Sequence, residues 1–310
     1  MLNREDENMA YIAGLLDGDG SFSMIREKRS HGYSYYPCIQ ISNVFEGMIS
    51  FFHETFGGCK KLKSLQSHGK RVQFVWNVRG MESCKKVLER VIPYLVLKKK
   101  QAKILLDSVK NPLIDEVDDI RLKIQSLNNG CLVSSGSVVK QAYKNTEDRL
   151  FWAYFAGILD TEGSFSVRKN KPSHGCINYK YNPIIQLSMA SFEAMNFIRK
   201  NICLGKICFP KAETTQRGYV YRLSFGKVSD CIEIIERISP YIKFKKVVAL
   251  ELLNFCRNYK PIKYKQQGVT QDELNFRENC HQKIKKLNEC GIIKPSLIDS
   301  EVRQDNEGQV

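Results

Sequence analysis

A stretch of thirteen residues near the N-terminus returns 143 residues later and constrains the fold more than any other feature. Tyr11–Ser23 reads YIAGLLDGDGSFS and Tyr154–Ser166 reads YFAGILDTEGSFS, with nine identical positions. Each copy opens with residues that are apolar on all sides, which predicts a buried helix, and continues with the alternation of a strand. The pairs Ala13-Gly14 and Ala156-Gly157 are small enough for a second helix backbone to approach closely.

Acidic residues close both predicted helices: Asp17 and Asp19 in the first copy, Asp160 and Glu162 in the second. A carboxylate at the C-terminal end of a helix is disfavoured by about 0.3–1 kcal/mol, because the helix dipole is negative there. A local rule that is broken in the same way twice indicates function. If the two helices pack side by side, their acids meet at one end and form a site for a hard divalent cation such as Mg²⁺.

The repeated motif resembles that of the LAGLIDADG homing endonucleases of the single-chain, two-motif type. It stands here as Ile12–Gly20 and Phe155–Gly163, and the resemblance covers about residues 5–110 and 147–257. One such nonapeptide would be a weak signal, but two at domain spacing with matching flanks are specific. The alternative is a pair of packed helices with solvated acids.

Composition agrees with a polyanionic partner. The chain has 310 residues and a formal net charge of +15, although a merely basic soluble protein would show the same balance. No apolar run reaches eighteen residues and Met1–Asp6 is polar, so we expect neither a membrane span nor a signal peptide. The eleven cysteines contain no CxxC pair, which predicts reduced thiols in an intracellular protein and no structural zinc.

Hydrophobic alternation and the repeat together predict an α+β fold made of two pseudo-symmetric αββαββα half-domains. Each half would hold a four-stranded antiparallel sheet backed by helices, and the resemblance implies that the two LAGLIDADG helices join the halves. In the first half the predicted elements are a helix over 4–17, a strand around Phe22 and Met24, strand Tyr35–Ser42, helix Glu46–Phe56, strands Lys60–Ser64 and Arg71–Val78, helix Glu82–Ile92 and a last helix to about Val109.

The predicted domain plan is a half-domain over 1–110, a linker over 111–146, a second half-domain over 147–257, a helical appendage over 258–298 and a disordered tail over 299–310. The linker contains a predicted helix, Val117–Asn128. A short pattern in that helix, Lys123-Ile124-x-x-Leu127-Asn128, returns as Lys283-Ile284-x-x-Leu287-Asn288. We interpret the two segments as matched appendages of the two halves.

The strand faces that point away from the helices are polar and basic, and a β-ribbon of this kind can enter the major groove of DNA. The resemblance places each sheet there, although any single residue could instead belong to a solvated strand face. The predicted DNA-binding residues are Ser23, Ile25, Glu27, Tyr36, Gln40, Lys61, Lys63, Arg71 and Gln73 in the first half, and Ser166, Arg168, Asn170, Asn182, Gln186 and Arg222 in the second.

The resemblance assigns the metal site to the penultimate acid of each motif, Asp19 and Glu162, with Gly18 and Thr161 beside them. These acids and phosphate oxygens would hold two or three Mg²⁺ ions, with Mn²⁺ able to substitute and Ca²⁺ supporting binding without cleavage. For the earlier acids, Asp17 and Asp160, we favour hydrogen bonding that shapes the helix end over metal ligation.

Three further positions complete the predicted catalytic set. Lys98 and Lys245 follow matching Pro-Tyr segments, where the family has a basic residue that stabilises charge near the scissile phosphate. The family often has a polar residue after the second strand that orients the attacking water; Asn43 fits this role, but its counterpart Met189 does not. His31 and His174 lie in predicted loop tips, where contact with DNA or solvent is expected rather than catalysis.

The resemblance therefore implies a monomeric, intron-encoded homing endonuclease that cuts both strands of a long, partly palindromic DNA site and leaves short 3′ overhangs. Its compartment would be an organelle or a microbial cytoplasm. Two alternatives remain open: an RNA-binding intron maturase on the same scaffold, and a DNA-binding regulator that has lost cleavage. The acids of both motifs argue against the pure binding functions, because binding alone does not require them.

Overall fold

A computed structural model describes residues 4–63, 72–111, 116–129, 149–172, 178–209, 220–260 and 269–289. The chain divides into two compact units. The N-terminal unit is formed chiefly by residues 19–93 and 98–130, and the C-terminal unit joins residues 131–288 to residues 1–18 and 94–97. The first helix thus belongs with the second half of the sequence, unlike the predicted plan, because it packs against the second motif helix.

In the first half of the chain the helices and strands follow the predicted order. They are α1 (Arg4–Asp19), β1 (Gly20–Arg29), β2 (Gly32–Asn43), α2 (Glu46–Phe56), β3 (Cys59–Lys63), β4 (Gln73–Arg79), α3 (Met81–Val91), α4 (Lys99–Lys110) and α5 (Val117–Asn129). The four strands form one antiparallel sheet in the order β1-β2-β4-β3. Strand β1 is therefore an edge strand.

The second half repeats this plan. Its elements are α6 (Arg149–Glu162), β5 (Gly163–Asn170), β6 (Lys180–Met189), α7 (Phe192–Ile202), β7 (Lys206–Cys208), β8 (Tyr221–Phe225), α8 (Val228–Ile238), α9 (Lys246–Asn258) and α10 (Gln271–Glu289). The sheet order is β5-β6-β8-β7, again antiparallel. The α+β class with two four-stranded sheets is confirmed.

The inner face of each sheet forms the core, as the alternation predicts. In β1, Phe22 and Met24 are buried, while the neighbouring Ser23 and Ile25 on the other face are half-exposed. Trp76 of β4 is fully buried and donates its indole N–H to the Gly57 carbonyl over 2.7 Å. In the second half, residues of both central strands are fully buried: Ile185, Leu187, Leu223 and Phe225.

Some predicted details are wrong. Strand β3 begins one residue earlier than predicted, and β4 covers Gln73–Arg79 rather than 71–78. Helix α1 continues to Asp19, beyond the predicted end at residue 17. Val75 and Asn77 lie on the outward face of β4, paired with Lys61 and Gln40, but they are buried at 6% and 5% exposure, since β4 is a central strand flanked on both sides.

Helices α1 and α6 pack backbone to backbone within the C-terminal unit. A Cβ atom on Gly14 would lie 2.1 Å from the Tyr154 carbonyl oxygen, and one on Gly157 would lie 2.2 Å from the Tyr11 carbonyl oxygen. The obstructing atoms are main-chain atoms that cannot swing aside, so only glycine fits these two positions. The predicted close approach through small residues is confirmed.

Helices α5 and α10 each lie against the edge strand of one sheet. Ile124 of α5 and Ile284 of α10, the isoleucines of the repeated short pattern, are both 1% exposed. The predicted tail over 299–310 lies outside the described residues. Among the helices that the structure describes, none is both long enough and apolar enough to cross a membrane.

Candidate functional site

The first acid of each motif is buried and serves the fold. Asp17 Oδ2 accepts hydrogen bonds from the backbone N–H groups of Val96 (2.8 Å) and Leu97 (2.9 Å) and from the hydroxyl of Tyr154 (2.9 Å). The carboxylate thereby ties the end of α1 to the segment after Pro93 and to the facing helix α6. These contacts agree with the interpretation that this acid shapes the helix end.

Asp160 makes the equivalent contacts at the end of α6. It accepts from the Tyr11 hydroxyl over 2.7 Å and from the backbone N–H groups of Lys243 (2.9 Å), Phe244 (3.3 Å) and Lys245 (2.7 Å). Burial raises the pKa of Asp160, and these hydrogen bonds to the ionised form oppose the rise. The burial that raises the pKa of Tyr11 is reinforced by the neighbouring carboxylate.

The second acid of each motif is more open. Asp19 is half-exposed at the end of α1 and accepts a hydrogen bond from the side-chain amide of Asn43, with 2.7 Å between Nδ2 and Oδ2. The amide oxygen of Asn43 accepts from the backbone N–H of Phe45 over 2.9 Å, which fixes the orientation of the amide. Asn43 therefore holds the Asp19 carboxylate, a contact that the sequence did not predict.

Glu162, also half-exposed, ends α6 in the same way. The residue that corresponds to Asn43 at the end of β6 is Met189, which has no amide to donate. The two carboxylates consequently differ both in length and in the groups that orient them. This difference follows directly from the sequence. The structure places Asn43 and Met189 at the ends of equivalent strands.

The two predicted lysines lie at the negative ends of the motif helices. Lys98 donates from Nζ to the Gly20 carbonyl over 2.6 Å. Lys245 donates to the carbonyls of Leu159 (3.1 Å), Thr161 (3.1 Å) and Gly163 (2.6 Å). A cation that binds the last carbonyls of a helix compensates the helix dipole, so these lysines explain how acids are tolerated there.

Gly18 and Thr161, predicted beside the metal site, face each other where the two motif helices end. A Cβ on Gly18 would lie 2.0 Å from Thr161 Oγ1, so the backbones are close together at this point. The Thr161 hydroxyl donates to the Ile158 carbonyl over 3.0 Å, and the Thr161 carbonyl already accepts from Lys245. Asp19 and Glu162 are the next residues along the chain.

The donor set suits a hard divalent cation. Among the residues that the structure describes, no three His, Cys, Asp or Glu side chains form a metal site by themselves. Mg²⁺ is commonly held by one or two carboxylates together with substrate phosphates and water. A half-exposed carboxylate such as that of Asp19, or that of Glu162, therefore fits a metal that is completed by a phosphate ligand.

In the first half, the predicted DNA-binding residues share the outward face of the sheet. The register pairs Ser23 with Cys38, Ile25 with Tyr36, Lys61 with Val75 and Lys63 with Gln73, so all lie on one face. Glu27 and Gln40 belong to the same face, where Glu27 accepts from Arg29 and Gln40 donates to Ser42. Arg71 lies outside the described residues.

In the second half, all six predicted residues lie on one face. Ser166, Arg168 and Asn170 alternate along β5, Asn182 pairs with Arg168 across the sheet, and Arg222 follows on β8. Arg168 donates to the side-chain oxygen of Gln186 over 2.9 Å. His31 is exposed at the β1–β2 turn, whereas His174 lies outside the described residues.

Comparison with known proteins finds similarity in structure and none in sequence models. No protein-family model matches the chain, and no curated protein is significantly similar to it. The structure of meganuclease I-SmaMI bound to uncleavable DNA superposes with a TM-score of 0.66 and 16% identity, covering 90% of this chain and 99% of that one. The LAGLIDADG homing endonuclease I-GzeII in complex with its DNA target gives a TM-score of 0.62 and 16% identity, covering 91% and 97%.

A third match is I-SmaMI bound to an uncleaved DNA target in the presence of calcium ions, with a TM-score of 0.61, 15% identity and coverage of 93% and 98%. The chain has the LAGLIDADG homing endonuclease fold. The resemblance inferred from the two nonapeptides is thus confirmed at the level of the fold, over most of the chain.

The LAGLIDADG sheets also present basic residues that the sequence analysis did not select. Arg79 lies on the outward face of the first sheet, with its guanidinium 5.5 Å from the centre of the Tyr36 ring. Lys180 and Lys206 lie on the outward face of the second. Continuing the alternation to the ends of β4, β6 and β7 would have found all three.

Proposed function

We propose that the chain is a monomeric, site-specific, metal-dependent DNA endonuclease of the homing type. The observation behind this proposal is made in both halves of the chain. Each helix of the LAGLIDADG pair ends in a half-exposed carboxylate and continues into a strand whose outward face is polar and basic. The solved structures with this fold support it, since I-SmaMI and I-GzeII are bound to DNA.

The sheet faces supply the DNA-binding surface. Their outward residues offer amide, hydroxyl and guanidinium groups in rows along antiparallel strands, the groups that read base edges and contact phosphates. The formal net charge of +15 favours association with a polyanion. The two faces differ at corresponding positions, for instance Ile25 against Arg168, which supports a target that is only partly palindromic.

Asp19 and Glu162 are the residues that would hold the metal in each motif. A bound divalent cation supplies a water of lowered pKa and neutralises charge on the phosphate that is cut. Mg²⁺ is the proposed ion, Mn²⁺ would replace it, and Ca²⁺ would support binding without cleavage. The cuts are proposed to leave short 3′ overhangs.

The remaining residues of the site orient a carboxylate or place positive charge near it. Asn43 holds Asp19 in one orientation through its amide. Lys98 and Lys245 place a positive charge where the helix carbonyls and the acids gather, and a fixed cation there stabilises a phosphate that approaches it. Lys245 is occupied by three carbonyls, so its contribution is electrostatic.

The test uses the full chain with a randomised DNA library and Mg²⁺, with cleaved ends identified by sequencing. Parallel reactions contain Ca²⁺ in place of Mg²⁺, or the double variant Asp19→Asn, Glu162→Gln. A matched control is Glu82→Gln, which removes an exposed acid in α3 outside the motifs. Melting temperatures and DNA binding in Ca²⁺ show whether each variant folds and binds.

We expect discrete cuts with a fixed stagger for the wild type and the control, and none for the double variant or in Ca²⁺. Specific DNA binding without any cut in Mg²⁺ would refute the nuclease and indicate a regulator. RNA binding that outcompetes duplex DNA would refute it in favour of a maturase. Once found, the cut site serves as the target for the experiments below.

A further inference from the structure

The helices α5 and α10, predicted as matched appendages in the linker and after the second half-domain, repeat one another in sequence and in their contacts. Residues 117–129 align with residues 277–289 at an offset of 160, whereas the motif helices and first strands repeat at an offset of 143. Each helix lies against the edge strand that leaves its own motif: α5 against β1, and α10 against β5. The two contacts can be compared residue by residue.

The first matched contact joins an asparagine to the main chain of the edge strand. Asn128 donates from Nδ2 to the Phe22 carbonyl over 2.9 Å, and Asn288 donates to the Phe165 carbonyl over 3.0 Å. Phe22 and Phe165 are equivalent residues of the two motifs. Since edge strands leave backbone groups unpaired, each amide satisfies a carbonyl that the sheet does not.

The second matched contact is made by an acid ten residues before each asparagine, at the start of α5 and in the middle of α10. Asp118 accepts from the hydroxyl of Tyr35 over 3.3 Å and pairs with Arg26 at 3.7 Å. Glu278, the residue that corresponds to Asp118, accepts from the hydroxyl of Tyr181 and pairs with Lys169 at 2.8 Å. In both halves, the tyrosine and the cation are cross-strand partners in the register.

The docked helices border the face that is proposed to read DNA. Beside β1 lies a groove of about 410 Å³ whose lining includes Ser23 and Ile25 from the strand and Gln125 from α5. The residue held by each asparagine immediately precedes an outward-facing serine, Ser23 or Ser166. A clamp on the carbonyl therefore sets the position of the neighbouring side chain that faces DNA.

Resting on the proposed function, we propose that α5 and α10 are edge clamps in which Asn128 and Asn288 position the DNA-reading strands β1 and β5. Each clamp serves its own half of the target, and Asp118 and Glu278 provide the second point at which each helix is held against the sheet. The two asparagines are positioning residues. Their role is to fix the backbone from which base-contacting side chains project.

The hydrogen bonds between these helices and the edge strands support a positioning role rather than packing alone. The buried isoleucines, Ile124 and Ile284, already supply the apolar anchor of each helix. In the second half, His281 makes a further contact to the same strand, 2.7 Å from the Val167 carbonyl oxygen. In both halves polar contacts thus reach the carbonyls and cross-strand pairs of the strand that begins directly after the proposed metal-binding acid, while α10 also pairs with α9 through Lys283 and Glu251.

The test measures each variant, Asn128→Ala and Asn288→Ala, on the selected target and on versions with single base-pair changes in either half. Variants Gln73→Ala and Arg222→Ala, on the outward faces of the two sheets, first assign the halves of the target to the sheets. Each clamp variant is expected to lose discrimination between the target and its single base-pair changes by roughly fivefold to tenfold in its own half, which is about the contribution of one hydrogen bond. Discrimination in the other half should not change.

Hydrogen exchange without DNA provides a second readout. Exchange should become faster in residues 20–29 for Asn128→Ala but not in residues 163–170, and the reverse for Asn288→Ala. The reciprocal changes Asp118→Glu and Glu278→Asp should keep discrimination, since each half already uses the other acid, whereas Asp118→Ala should lose it in the half assigned to the first sheet.

The outcomes separate this inference from the proposed function. A wild-type chain that binds no DNA would overturn both. A wild-type chain that binds and cuts, together with clamp variants that lose nothing or lose discrimination equally in both halves, would overturn the clamps alone. An equal loss that accompanies a lower melting temperature would assign the asparagines to general stability.

Discussion

The contact between the two motif helices is so close that one added methyl group should break it. In Gly14→Ala the new Cβ would lie 2.1 Å from the Tyr154 carbonyl oxygen, 3.0 Å from the Ile158 nitrogen and 3.1 Å from Gly157 Cα. The first distance is about 1 Å shorter than an ordinary contact, and all three neighbours are main-chain atoms. The helices must therefore separate or bend, because no side chain can rotate to relieve the clash.

The magnitude follows from three effects. Overpacking of this kind costs about 1–3 kcal/mol. Separating the helices also weakens the Tyr11–Asp160 and Tyr154–Asp17 hydrogen bonds, each to a carboxylate and worth about 1.5–3 kcal/mol. Alanine recovers about 1 kcal/mol through its higher helix propensity. We expect a net loss of about 3 kcal/mol, which corresponds to a fall of roughly 6–12 °C in melting temperature for a unit of this size.

The measurement is thermal and denaturant unfolding of Gly14→Ala beside Gly47→Ala. Gly47 lies in α2 with no atom within 4 Å of its virtual Cβ, so alanine there should leave stability unchanged or raise it by up to about 1 kcal/mol. A Gly14→Ala protein that melts at or above the wild-type temperature would refute the backbone contact. A fall of equal size in both variants would assign the effect to something other than this contact.

Three further predictions concern charge and the two motifs. Hydrogen bonds from Gln282 and Tyr181 and the pairing with Lys169 lower the pKa of Glu278 from its ordinary 4.5 to about 2; its stabilising contribution is therefore complete above pH 4.5 and lost as pH falls towards 2, so the stability gap between wild type and Glu278→Gln should close over that range in acid unfolding curves. Lys245→Met should lower the cleavage rate more than DNA affinity in Ca²⁺, and equal losses in both would contradict an electrostatic role at the cut site. Because Asn43 holds Asp19 and Met189 occupies the equivalent position of the second half, single-turnover assays on end-labelled target should show one strand nicked first, and unchanged strand preference in Asn43→Met would contradict this.

The motif pair predicted most of the fold because it combines two independent sequence patterns, one typical of a buried helix and one typical of a strand. The all-round apolar helix predicts burial, and Ile12, Leu15 and Leu16 are buried. The alternation after it predicts a sheet with one inward face, and Phe22 and Met24 are buried on that face. The helix α2 was predicted with its observed bounds, since Gly57-Gly58 stops it. The resemblance then supplied the roles of Asp19 and Glu162, which no period can give.

The parts that the sequence did not predict depend on long-range contacts. Val75 and Asn77 alternate like surface residues, but a central strand has neighbours on both sides that cover it. The ends of β3 and β4 are set by their mutual register, from Cys59 opposite Asn77 to Lys63 opposite Gln73. The three carbonyls that bind Lys245 lie at the end of α6 and just beyond it, far from this lysine in the sequence.

Comparing the halves separates residues that hold the scaffold from residues that face outward. One side-chain contact to the main chain has the same hydrogen-bonding chemistry in both halves: Asn128 and Asn288 each donate to a phenylalanine carbonyl. Where a side chain points outward, the halves differ freely, as in Ile25 against Arg168. A scaffold contact tolerates only groups with the same donor geometry, whereas an outward position is limited only by its partner. The pattern of difference therefore indicates one fold that holds two unequal outward surfaces.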